Sequence, residues 1–210
     1  MHYKSLVIGN VDEQLYYYWE GYEVEPYEVE IENSDIQSCM AHYSLKNKDE
    51  LTNKLAEWFG AEKVVKHDGT YYYESTSNQD SFYDWYEIGG RWSNRLLMKN
   101  GAKVDSAYMN EIDWKGMENS KVKQAKEDWK KFNAKENRLK NITDSNRKLK
   151  YECDIQGNTL EEHIKNRSEF SVATIVWEDR VYHEPTPAKV NEILSMIDKN
   201  DEVSIVDYHC

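Results

Sequence analysis

Cysteine is scarce in this chain. Cys39, Cys153 and Cys210 stand far apart, are odd in number and form no CxxC pair. That excludes a zinc knuckle and a disulfide framework, and it fits a reducing cytosol. No apolar run approaches the length of a membrane span, and the one in Met1–Gly9 is too short for a secretory signal. The signatures of common nucleotide and hydrolase sites are also missing. There is no G-x-x-x-x-G-K-[ST] loop, and Gly9 stands alone after the first apolar run, so no G-x-G-x-x-G fingerprint follows it. Neither a G-x-S-x-G elbow nor an H-E-x-x-H helix occurs. From Ser5 to Leu45 there is no lysine or arginine. These absences imply no metal and no cofactor, and they weigh against an enzyme.

What is present is aromatic and acidic. Aromatic residues make up 13% of the chain, with 16 Tyr and 7 Trp, a content that disordered chains do not have. The expectation is a folded protein whose core is built largely from rings. The net charge is −12, which opposes direct binding to a nucleic-acid backbone, because counterion release needs a cationic face. An acidic protein can instead repel nucleic acid or occupy the basic groove of a protein that binds it, and the simplest reading of the charge is solubility alone. The acids gather between Gly21 and Asp35 as Glu23, Glu25, Glu28, Glu30, Glu32 and Asp35, and the alternation Val29-Glu30-Ile31-Glu32 predicts an edge strand. From Lys115 to Lys150 the balance reverses, and bases outnumber acids more than two to one.

The periodicities predict an α+β fold: a mostly antiparallel sheet, two or three packed helices and a long basic helical insertion. Tyr3–Ile8 and Val203–Tyr208 read as strands at the two chain ends, expected to share one sheet. Asn10 with Glu13, and Asn47 with Glu50, have capping-box spacing. Leu51, Leu55, Trp58 and Phe59 then follow a helical period closed by Gly60. Asp68-Gly69 between two strand-like runs is a hairpin signal, and Glu178-Asp179 a turn between Phe170–Trp177 and Arg180–His183. Thr186 before Pro187 opens a helix with Val190, Ile193, Leu194 and Ile197 on one face. Residues 1–114 and 166–210 are expected to form one domain, with 115–165 as a basic helical insertion in which Ser120–Lys140 reads as one long helix with a loose apolar stripe.

Three constellations carry chemical potential. In Asp84-Trp85-Tyr86-Glu87-Ile88-Gly89-Gly90-Arg91-Trp92-Ser93-Asn94, rings surround a Gly-Gly pair and one arginine. Arg91 has a donor fork suited to an anion, and Trp92 and Tyr86 offer rings on which a base can stack. The structural alternative pairs Arg91 with Glu87 or Asp84 and leaves the tryptophans to the core. Asp207 and His209 are two apart on a strand and so face the same way, a usable acid–base pair that His183 with Glu184 would complete from a neighbouring strand. Cys39 and His42 are close in sequence, but nothing around them marks an activated thiol, and a small, partly exposed cysteine is expected.

Taken in order, Val7-Ile8-Gly9 with Gln14-Leu15, the Asp84-Trp85-Tyr86-x-Ile88-Gly89-Gly90-Arg91-Trp92 block, Val181-Tyr182-His183-Glu184 and Val206-Asp207-x-His209 resemble a family of bacteriophage and prophage-region proteins. The matching islands cover about a quarter of the chain, and the segment from Lys99 to Glu169 departs from the pattern. The resemblance implies a phage gene product in the host cytoplasm, but no catalytic residue. Small acidic phage proteins often resemble antagonists of host defence, including inhibitors of CRISPR or restriction effectors. The leading expectation is therefore a binding protein whose acidic segment occupies a basic surface of a host defence effector. The alternative is a nucleotide- or phospho-ligand-binding protein or hydrolase using Arg91, His183, Asp207 and His209. A third class is an assembly protein that oligomerises through the long helix.

Overall fold

The computed structural model describes residues 1–45, 50–138, 150, 154–168 and 170–210. It shows an α+β protein made of two compact units, residues 1–16 with 83–210, and residues 17–82.

The larger unit is built on strands β1 (His2–Ile8), β5 (Trp85–Ile88), β8 (Ser106–Tyr108), β9 (Thr174–Trp177), β10 (Arg180–His183) and β11 (Glu202–His209). Their order is β10-β9-β1-β11-β5, with β8 also pairing β11. The two chain ends meet in the middle of this sheet, as expected: β1 and β11 run antiparallel from His2 opposite His209 to Ile8 opposite Val203. β9 joins β1 in parallel. Leu6, Val7, Ile8, Val203, Ile205 and Val206 are all buried, because a central strand covered on both faces must be apolar on both. On one face Leu6, Ile8, Ile175, Val203 and Ile205 pack against Val190, Ile193 and Ile197. Val190 and Ile193 lie on the helix Pro187–Met196, whose first turn is capped by Thr186 Oγ1 accepting from Lys189 N at 3.2 Å. On the other face α1 (Val11–Leu15) contacts β1 and buries Val11 and Leu15, with Asn10 Oδ1 accepting from Glu13 N at 3.1 Å.

The smaller unit has its own core. Strands β2 (Tyr27–Glu30), β3 (Val64–His67) and β4 (Thr70–Ser75) form an antiparallel sheet in the order β2-β4-β3. Helices α2 (Asn33–His42) and α3 (Leu51–Phe59) cover it, burying Cys39, Leu51 and Leu55 with Ile31, Val64 and Tyr71. The hairpin turn at Asp68-Gly69 has positive φ at both residues, +49° and +91°, as a two-residue turn matched to strand twist requires. Gly60 closes α3 in the left-handed conformation. Asn47 lies outside the described residues.

The division of the chain differs from the expected one. The break falls at residues 17–82, which close a core of their own, and not around 115–165. Helix α4 (Trp114–Arg138) starts ahead of the expected Ser120, with Asp113 Oδ1 accepting from Gly116 N at 2.8 Å. Its first turns belong to the larger unit, because Trp114 and Met117 pack on the main core. Further along, α4 packs against α5 (Leu160–Ser168), where Trp129 meets Phe132 and His163. The helix Pro187–Met196 is α6.

Candidate functional site

The Gly89-Gly90 turn leaves β5 where that strand pairs with β11, which places it over Asp207. Both glycines have positive φ, +77° and +49°. A Cβ on Gly89 would sit 2.5 Å from the Asp105 carboxylate, and one on Gly90 would sit 2.5 Å from Asp207 Cβ. The glycines are therefore needed twice over, for backbone conformation and for the close approach of two acidic side chains. Asp105 accepts from Asn94 N, which closes the far side of the turn.

Asp207 is 1% exposed, and its charge is met on both oxygens. Oδ2 accepts from Arg91 N at 3.0 Å and Oδ1 lies 2.9 Å from His2 Nδ1. Two residues on, His209 Nδ1 lies 2.8 Å from Asp84 Oδ2 and 3.0 Å from Oδ1. Burial works against the Asp84 charge, but the His209 hydrogen bond and the Trp85 N–H outweigh it and hold the carboxyl below its ordinary value. Trp85 stacks on His209 at 5.8 Å, and His2 stands edge-on to both rings at 5.4 and 5.2 Å. The end of the sheet thus carries two Asp–His pairs under one tryptophan. The sequence pointed to Asp207 and His209 on one face, and that is where they lie. Their partners, His2 and Asp84, were missed, because only the β1–β11–β5 register brings them in.

The other proposed members do not join. His183 is exposed on edge strand β10, and β9 and β1 lie between it and β11, about 14 Å at the usual spacing of ~4.8 Å per strand. Its register runs through Thr174 and Ser5 to Val206, so it also points to the opposite face from Asp207. Arg91 meets Asp207 through its main chain. Its side chain is exposed, and the Asp84 carboxylate proposed as its partner is engaged by His209. Trp92 packs on the core, so it is no open stacking platform. Tyr86 donates its hydroxyl to Asp12 and meets Tyr83 edge-on at 5.6 Å; burial first, then Asp12, raises its phenol above the ordinary range. Arg91, His183, Asp207 and His209 accordingly form no single pocket. Among the described residues no three His, Cys, Asp or Glu side chains converge as a metal centre would need.

Cys39 is fully buried in the small core, not partly exposed as expected, and burial followed by Glu57 raises its thiol pKa. His42 meets Tyr43 and Trp58 edge-on and makes no thiol–imidazole pair.

The acidic segment is different in kind. Glu23, Glu25, Glu28, Glu30 and Glu32 are exposed and Asp35 is half-buried. Alternation on β2 turns Val29 toward Tyr73 on the inner face and leaves Glu28 and Glu30 outside. There Glu28 lies directly opposite Glu74 of β4, and Glu30 opposite Tyr72. Among the described residues the one ion pair made by the six acids is Glu28 with His67, at 3.2 Å.

No family model matches the chain, and no curated protein or solved structure matches it.

Proposed function

We propose that this is a binding protein that works through the outer face of its small sheet, offering preformed negative charge to a basic surface of a macromolecular partner. The Glu28–Glu74 opposition carries this reading. Like charges facing each other across an antiparallel pair destabilise the sheet. Acidic residues on an edge strand are a known defence against edge-to-edge pairing, which accounts for Glu28 and Glu30. It does not account for Glu74, which lies on the central strand β4. A lysine- or arginine-bearing partner would relieve the repulsion on binding and would be drawn in by the net charge. The resemblance to phage proteins suggests a host defence effector that itself binds nucleic acid, met in the host cytoplasm.

Replacing Glu25, Glu28, Glu30 and Glu32 by lysine tests this. The protein and its variant are used as bait in host lysate, with captured proteins eluted by salt and identified by mass spectrometry. Capture of a nucleic-acid-binding protein by the wild type, lost in a variant with unchanged circular dichroism, is the expected result. Equal capture by both removes the proposal.

A further inference from the structure

His2 and His209 lie directly opposite each other on β1 and β11, so their side chains share one face of the larger sheet. Cys210 N donates to Met1 O just beyond them, which makes His2–His209 a non-hydrogen-bonded pair, the kind whose side chains stand closest. Their ring centres are 5.2 Å apart. Each ring is held through the same atom: His2 Nδ1 meets Asp207 and His209 Nδ1 meets Asp84. A carboxylate can only accept, so in the neutral ring Nδ1 carries the proton and Nε2 keeps the lone pair. For His209 a second contact agrees. The Met1 ammonium, which can only donate, lies 3.0 Å from Nε2. A positive charge is therefore already held against that atom.

A carboxylate behind Nδ1 and a lone pair on Nε2 is the arrangement that metal-ligating histidines use. The carboxylate fixes the tautomer and the ring orientation and makes the imidazole a better ligand. Here that arrangement occurs twice, side by side. Two imidazoles bound tetrahedrally to one ion at about 2.0–2.1 Å have ring centres roughly 5 Å apart, which is the spacing of His2 and His209. Trp85 packs against both rings, stacked on His209 and edge-on to His2, and so restricts their rotation. Both imidazoles still reach solvent, with the His2 side chain 19% and the His209 side chain 34% exposed. A tightly resident centre takes three or more protein ligands. No third His, Cys, Asp or Glu side chain joins these two among the described residues. The arrangement is therefore that of an open, exchangeable site, with its other positions left to water or to a ligand.

We propose that His2 and His209 form a site for a late first-row divalent cation, zinc or nickel, bound through both Nε2 atoms, with Asp207 and Asp84 as positioning residues. The ion takes the place of the Met1 ammonium as the cation at His209 Nε2. Imidazole nitrogen suits these ions, whereas calcium and magnesium require oxygen ligands. The sequence carries no ligand motif because the two histidines stand at opposite ends of the chain, and only the β1–β11 register brings them together. For the same reason the ion binds the folded chain and not the unfolded one.

Titration calorimetry of the untagged, metal-free full chain tests this, with zinc and nickel chloride as probes and magnesium chloride as control. At least one of the two ions binds at one site per chain in the micromolar range and raises the melting temperature, and magnesium does neither. His2→Gln and His209→Gln each keep a donor for the carboxylate but lose the ligating nitrogen, and each weakens binding by about tenfold or more. His209→Asn serves where the glutamine variant does not fold. Asp84→Asn weakens binding by about tenfold, and Asp84→Glu, which keeps a carboxylate, restores part of that loss. His67→Gln removes an imidazole from the smaller unit and leaves the affinity unchanged. No saturable binding of either ion below about 1 mM, equal binding of magnesium, full affinity in either histidine variant of the pair, or an equal loss in His67→Gln would each overturn the proposal.

Discussion

At the scale of single residues, two positions show how little freedom the larger sheet leaves. Gly90 combines a φ of +49° with an Asp207 Cβ that a methyl group would meet at 2.5 Å. The Asp207 Cβ belongs to a central strand and cannot swing aside as the end of a long side chain would. Gly90→Ala therefore faces backbone strain and steric overlap at once, and we expect a loss of about 2–4 kcal/mol in urea unfolding. A loss below about 0.5 kcal/mol, ordinary for surface changes, would show that the turn relaxes. Lys4 affects stability through protonation. Below about pH 8 folded and unfolded chains both hold its proton; between about 8 and the ordinary 10.5 mainly the unfolded chain does. Raising pH through that window favours the folded state, by on the order of 2 kcal/mol for this one group. Urea unfolding of wild type and Lys4→Met should thus diverge, with the wild type gaining relative to the variant between pH 7 and 10. Parallel curves would mean that Lys4 keeps its proton in the fold.

At the scale of elements, Glu28 faces Glu74 across the β2–β4 pairing on the outer face of the small sheet, and like charges so placed are expected to cost stability. Glu74→Gln keeps the shape and removes the repulsion. It should raise stability by about 0.2–1 kcal/mol, the range for cross-strand pairs, and should do so less in high salt, because the charges are exposed. A Glu74→Gln variant that melts at or below the wild type at low salt would show that the pair is not repulsive. The same unit shows what could be read in advance. The Asp68-Gly69 hairpin and the Gly60 stop follow from local chemistry alone, and both are found where the residues placed them. Helix α2 was missed. Its core contacts, Ile36, Cys39 and Met40, do have helical spacing, but the helix opens straight after β2 with no side-chain cap and its apolar face is weak. The turn at Glu178-Asp179 was legible, although both residues hold positive φ without a glycine. Asp207 and His209 were legible as a pair because a strand has a period of two. Their partners His2 and Asp84 were not, since register is a property of strand pairs far apart in the chain.

At the scale of the molecule, the topology brings the chain ends together. β1 and β11 are central, antiparallel neighbours, with His2 opposite His209, and Cys210 N donates to Met1 O at 3.1 Å. The most buried strand pair of the larger sheet therefore joins the residues most distant in sequence. Closing so long a loop slows folding, because its entropy is lost before the contacts form. The expected separation into 1–114 and 166–210 around a helical insertion captured this joining of the ends but placed the break elsewhere. Residues 17–82 have hydrophobic periodicities much like their neighbours', and only the pairing of β2 with β4 shows that they close on themselves. A circular permutant separates topology from chain order. A two-residue Asn-Gly loop can join Cys210 to Met1, because adjacent antiparallel ends accept such a turn. New ends can be opened at Gly101, which is exposed at the tip between β6 (Leu96–Leu97) and β7 (Lys103–Val104), with nothing within 4 Å of an added Cβ. Opening there disturbs one short hairpin, while the new turn makes the central strand pair local. The permutant should keep the wild-type circular dichroism, melt within a few degrees of it and refold faster in stopped-flow experiments. A permutant that is soluble but unfolded would mean that the β6–β7 tip, and not the β1–β11 pair, organises the sheet.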